Sequence, residues 1–79
     1  MVKCVSILGS TGSIGRQSLD VISRLEGIRV AALTAGSRVE QMAEQCRQFR
    51  PRLAVMATQE AAEALRRELQ TLETEIAWG

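Results

Sequence analysis

Residues 5–22 read VSILGSTGSIGRQSLDVI, and how this stretch is read decides the fold. An apolar, β-branched run from Lys3 to Leu8 ends abruptly in Gly9-x-x-Gly12-x-x-Gly15, and a helical pattern follows at once. Short apolar runs bounded by glycine are strand signals, so Lys3 to Leu8 is expected to be a strand. From Ser13 to about Leu25, Ile14, Ser18, Val21, Ile22 and Leu25 fall at i, i+4, i+7, i+8 and i+11, the spacing of one helix face. The corner between them holds three of the chain's six glycines. A turn through positive φ, or close helix–strand packing, accounts for one or two of them. Three at this spacing, with the small Ser10, Thr11 and Ser13 between them, leave room for a pyrophosphate at the first turn of a helix. Free N–H groups and the helix dipole favour an anion there. The spacing is a variant of Gly-x-Gly-x-x-Gly, and the Gly-Lys-Ser/Thr ending of a Walker loop is absent.

Working outward, strand-like and helix-like segments alternate. Arg29 to Thr34 (RVAALT) reads as a second strand after Gly27. Ser37, three residues before Glu40, has the spacing of a capping box. Val39, Met42, Ala43, Cys46 and Phe49 form the face of the helix it opens, and Pro51 stops that helix. Leu53 to Met56 is a third strand. Thr58 is the expected N-cap of a helix from Gln59 to about Leu72, with Ala61, Leu65, Leu69 and Leu72 as its apolar stripe. Glu75 to Trp78 is a fourth strand. Alternation of this kind implies a parallel sheet with right-handed crossovers. The expected fold is α/β, a partial Rossmann-like doubly wound sheet in the order 3-2-1-4. Its ligand crevice would lie between strands 1 and 4, lined by the glycine corner and Trp78-Gly79.

Composition excludes much else. The chain has 79 residues, 46% hydrophobic, with a formal net charge of +1. That is one small domain unit, with dispersed charge that gives no footprint for nucleic acid. No apolar run approaches the length of a membrane span, and Met1-Val2-Lys3 leads into a strand with neither a signal nor a transit peptide. Cys4 and Cys46 occupy apolar-patterned positions and read as buried thiols of a reducing, cytoplasmic compartment. There is no His or Tyr, and the acids are Asp20 and eight scattered Glu. General acid–base catalysis and metal binding need clusters that this inventory lacks. No catalytic or metal-ligating residue is therefore assigned within the chain.

The corner after strand 2 is informative too. An NAD site would carry an acid here for the ribose 2′-OH. None stands before Glu40; Arg38 does. A cation in the first turn of a helix opposes the dipole, and a bound 2′-phosphate would reverse that penalty.

These pieces together resemble one family. ILGSTGSIG, then SLDVI, then VAALTAGSRVEQMAEQCRQFRPRLAVM are similar to the amino terminus of 1-deoxy-D-xylulose 5-phosphate reductoisomerases, over roughly residues 4 to 57. The resemblance implies an enzyme of the non-mevalonate isoprenoid pathway. With NADPH and a divalent metal (Mg²⁺ or Mn²⁺), it isomerises and reduces a phosphorylated keto-sugar to 2-C-methyl-D-erythritol 4-phosphate, usually as a homodimer. It also implies cofactor contacts at Thr11, Gly12, Ser13 and Ile14 and at Gly36, Ser37 and Arg38, the last replacing the family's usual Asn. On this reading residues 1–79 are the amino-terminal part of the NADPH-binding domain, and the metal and substrate residues lie beyond Gly79. Two alternatives stay open: another NADP-dependent reductase with this glycine spacing, such as a semialdehyde dehydrogenase, or a stand-alone nucleotide-binding module.

Overall fold

A computed structural model describes residues 3–79; Met1 and Val2, where the leaderless start was read, lie outside the described residues. The element order is β1 (Lys3–Ile7), α1 (Ser13–Ser23), β2 (Ile28–Thr34), α2 (Val39–Phe49), β3 (Leu53–Met56), α3 (Gln59–Glu68) and β4 (Glu75–Trp78). All four strands are parallel, so the α/β reading holds.

The strand order does not. The sheet runs β1-β2-β3-β4, not 3-2-1-4. Strand β4 is held against β3 along its whole length. The Glu75 N–H donates to the Arg52 carbonyl at 2.8 Å, and the Gly79 N–H to the Met56 carbonyl at 3.1 Å. The Thr74 hydroxyl reaches the Pro51 carbonyl at 2.7 Å. From α3, the Arg66 guanidinium donates to the Ile76 carbonyl at 2.7 Å. A short helix whose apolar stripe is already committed to the α2 side of the sheet returns the chain to the neighbouring position. Reaching the far side of β1 would mean passing two strands, each about 4.8 Å wide. Among the four described strands β1 is therefore outermost on one side, and Trp78-Gly79 lies on the other. The expected crevice between strands 1 and 4 does not form.

Successive right-handed crossovers between neighbouring strands stack their helices on one face. One core results. It joins Leu19 of α1, Met42, Ala43 and Cys46 of α2, and Ala61, Ala62, Leu65 and Leu69 beside α3 with Val30, Leu33, Ala54, Met56 and Ile76 of the sheet. The register shift between Val5 and Ser6 against β2 lets both Val30 and Leu33 face the core although three residues apart. On β1, Val5 and Ile7 pack on the core while Cys4 and Ser6 are exposed.

Two further expectations change. In α1 the buried positions are Gly15 and Leu19, with Ile22 partly buried. Ile14, Val21 and Leu25, assigned to the inner face, are exposed at 79%, 55% and 51%. The close contact of Gly15 with the β1 turn rotates the helix and sets its face, overriding the larger side chains. Cys4 is exposed, because it alternates with the core-facing Val5 and lies on the other face of the outermost described strand, whereas Cys46 is buried as expected. Burial pushes the Cys46 thiol from 9.0 up to about 11, against the opposing pull of Arg47. It is inert as a nucleophile. No helix among the described residues is long and apolar enough to cross a membrane.

Candidate functional site

The four glycines at the carboxyl ends of β1 and β2 divide into two kinds. Gly9 turns with φ +67°, a conformation L side chains rarely adopt. Gly15 lies so close to the β1 turn that an added Cβ would overlap the Gly9 carbonyl oxygen and stand 2.7 Å from the Ser10 Cα. The fold itself requires these two. Gly12 and Gly36 are different. A Cβ on Gly12 would meet only the Gly9 carbonyl oxygen at 3.4 Å, an ordinary contact, and one on Gly36 would meet nothing within 4 Å. Neither has positive φ. The chain's own packing gives no reason for glycine at either place, which leaves clearance for something outside the chain.

Gly12 is the N-cap of α1, with extended φ −78° and ψ 173° and no side-chain cap hydrogen bond. The first N–H groups of a helix have no acceptors within it, so those of the opening turn face outward. No acidic residue lies in that turn to compete for an anion. Gly12, Ser13 and Ile14 are exposed, whereas Thr11 is 5% exposed. Thr11 is thus the least accessible of these four residues.

The loop is held from below. The Gly9 N–H donates to Thr34 Oγ1 at 3.2 Å, and the Ser10 N–H to the Thr34 carbonyl at 2.8 Å. Ser10 is fully buried, with its hydroxyl 3.9 Å from the Met42 sulfur. Gln45 Nε2 donates to the Ser10 carbonyl at 2.7 Å. Thr34 and Met42 are read from the sequence only as strand and core positions, and Gln45 is not marked at all. Gln45 lies one residue before Cys46 and three after Met42, at the edge of an apolar stripe. Nothing in the one-dimensional pattern pairs it with Ser10.

Gly36, Ser37 and Arg38 form the adjacent corner after β2, all exposed. The Gly36 carbonyl accepts from the Ala57 N–H at 3.0 Å, which ties this corner to the end of β3. The capping box does not form. Arg38, not Ser37, is the N-cap of α2, with no side-chain cap hydrogen bond. Its guanidinium touches only Gln41 Oε1, at 3.5 Å. Since β1 and β2 are neighbours, the structure brings both predicted groups to the same end of the sheet, side by side. No group of three or more His, Cys, Asp or Glu that could hold a metal ion exists among the described residues.

The family model described as 1-deoxy-D-xylulose 5-phosphate reductoisomerase matches residues 5–79. The chain belongs to the 1-deoxy-D-xylulose 5-phosphate reductoisomerase family. The reductoisomerase of Methylobacillus flagellatus is 55% identical over 80 residues, covering 100% of this chain and 20% of that protein. That of Symbiobacterium thermophilum is 52% identical over 84 residues, covering 100% of this chain and 22% of its own length. Among solved structures, the reductoisomerase from Zymomonas mobilis in complex with NADPH superposes with a TM-score of 0.93 at 34% identity, over 100% of this chain and 21% of that one. A reductoisomerase in complex with NADPH, fosmidomycin and magnesium superposes with a TM-score of 0.90 at 30% identity, over 99% of this chain and 20% of that one. The chain thus spans about a fifth of the length of these relatives.

Proposed function

We propose that residues 1–79 are the amino-terminal part of the NADPH-binding domain of a 1-deoxy-D-xylulose 5-phosphate reductoisomerase. The observation that carries this reading is the pair of unoccupied Cβ positions at Gly12 and Gly36, each beside a helix start without a side-chain cap. In this reading the pyrophosphate rests on the backbone of Thr11, Gly12, Ser13 and Ile14, where the helix dipole and free N–H groups meet its charge. The 2′-phosphate is taken by Ser37 and Arg38, with Gly36 giving clearance to the ribose. NADPH, once bound, supplies the hydride that reduces the rearranged keto-sugar phosphate to 2-C-methyl-D-erythritol 4-phosphate.

The residues of this chain bind and orient; they carry no proton relay, because His and Tyr are absent. A divalent metal does not fit here, since no carboxylates converge among the described residues, and its Mg²⁺ or Mn²⁺ ligands are assigned to other parts of the polypeptide. The enzyme is read as a cytoplasmic homodimer that also binds the keto-sugar phosphate.

Arg38→Ala in the full-length enzyme tests the assignment. A charge-assisted bond to phosphate is worth about 1.5–3 kcal/mol, so NADPH affinity is expected to fall roughly ten- to a hundredfold. NADH affinity stays nearly constant, because NADH has no 2′-phosphate. Equal losses for both cofactors would remove Arg38 from the site.

A further inference from the structure

Gln45 lies on α2, two turns on from Arg38, yet its side chain ends on the glycine loop of β1. Its Nε2 donates to the Ser10 carbonyl at 2.7 Å, and its Oε1 is buried with no hydrogen-bond partner. This is an uneconomical way to fill space. A hydrocarbon side chain would fill the same space without stranding a carbonyl oxygen away from water. Nor is the amide free to turn over, since the opposite orientation would set Oε1 against the Ser10 carbonyl at the same short distance. The donor end is therefore the part of the side chain that the structure uses.

What that donor holds is the loop carrying Thr11 and Gly12. Ser10 is fully buried, and its N–H and carbonyl go to different elements: the N–H to Thr34 of β2, the carbonyl to Gln45 of α2. A helix that begins at Arg38 is thereby tied, through its own side chain, to the loop that begins α1. Van der Waals contact alone would allow α2 to slide along the sheet by fractions of an ångström. A hydrogen bond to a fixed carbonyl sets one position along it.

We infer that Gln45 is a positioning residue that sets the separation between the pyrophosphate corner and the 2′-phosphate corner. It touches neither phosphate. The inference rests on the NADPH reading above, and its consequence is specific. Losing Gln45 weakens a ligand that must reach both corners at once, and spares one that fills only the Arg38 corner.

The test uses the full-length enzyme, with NADPH as the bridging ligand and adenosine 2′-monophosphate, which has no 5′-phosphate, as the single-corner probe, both titrated by calorimetry. Gln45→Leu is expected to weaken NADPH roughly tenfold, as befits one hydrogen bond to a buried carbonyl, and to leave adenosine 2′-monophosphate within about twofold. Gln45→Glu adds a second readout that a role in packing alone would not move. Protonated, its carboxyl can donate to the Ser10 carbonyl; ionised, it can only repel it. NADPH affinity of this variant, relative to wild type at the same pH, is expected to recover as the pH falls from about 7 to 4, into the range where a glutamate takes up its proton. Unchanged NADPH affinity in either variant overturns the inference. So does an equal loss for both ligands, or a Gln45→Glu profile that parallels wild type. If the wild-type enzyme itself fails to bind NADPH, the functional reading falls and this inference with it. If wild type binds NADPH and the variants bind it equally well, only the role of Gln45 is lost.

Discussion

Helices α1 and α2 begin differently from α3. At α3 the Thr58 hydroxyl accepts from the Ala61 N–H at 3.1 Å, so one donor of the first turn is satisfied by the chain's own side chain. Neither α1 nor α2 has such a bond. Their N-caps are a glycine and an arginine, which offer no acceptor. All three helices follow parallel strands in one sheet, so topology does not account for the contrast. Where no ligand is expected the helix start is closed by an ordinary cap. Where phosphates are expected it is left open and flanked by a glycine that the fold does not need. The open corner of α1 is also the more firmly built, with Ser10 and Thr11 buried and the loop fastened to β2 and α2. The corner of α2 is exposed throughout.

Breaking the firm corner has the largest expected effect. Gly15→Val would force a branched side chain into the Gly9 carbonyl and the Ser10 Cα, atoms of the backbone that cannot rotate away. Overpacking of this kind costs about 1–3 kcal/mol, occasionally more, so the thermal midpoint should drop sharply and NADPH binding should fail with it. Circular dichroism melts check this, and a wild-type melt would mean that α1 has room to move off β1.

The closed corner sharpens the contrast from the other side. Thr58→Ala removes the α3 cap and is expected to cost about 1 kcal/mol of stability while leaving NADPH affinity unchanged. A loss of affinity there would erase the distinction between capped and uncapped starts.

A smaller effect follows from Cys46. With its thiol raised to about 11, the native state holds the neutral form after the unfolded chain, at 9.0, has begun to ionise. Its contribution to stability is present in full below pH 9 and is lost as the pH rises toward 11. Denaturant unfolding across that range, compared with Cys46→Ala, should show the difference. Alkylation at neutral pH should mark Cys4 well before Cys46.

Much of this arrangement was legible in residue order. The period switches located all four strands and three helices, and Leu53–Met56 and Glu75–Trp78 match the sequence reading residue for residue. The Thr58 cap and the α2 face were visible because each is a local pattern with one physical cause. Strand order was not, because it depends on where α3 finds its buried partner, a choice made between elements. The inner face of α1 was misread for a related reason. Hydrophobic spacing weighs side chains by size, and here a glycine without a side chain decides which surface lies against the strand. In the site, small residues announced clearance, but they did not tell which clearance the backbone uses. Only the structure separates Gly9 and Gly15, needed by the fold, from Gly12 and Gly36. The Gln45–Ser10 bond spans 35 positions of sequence and left no local trace.

The central claim is that Gly12 is kept clear for a cofactor and not for the fold. Gly12→Val in the full-length enzyme addresses it most directly, because the backbone there, at φ −78° and ψ 173°, is one that valine adopts readily. Thermal melting and NADPH titration on the same preparation give the answer. The expected result is a folded protein whose melting midpoint is close to wild type and whose NADPH affinity is lower by roughly a hundredfold, the equivalent of about 3 kcal/mol of steric conflict. A folded variant that binds NADPH as tightly as wild type would contradict the claim.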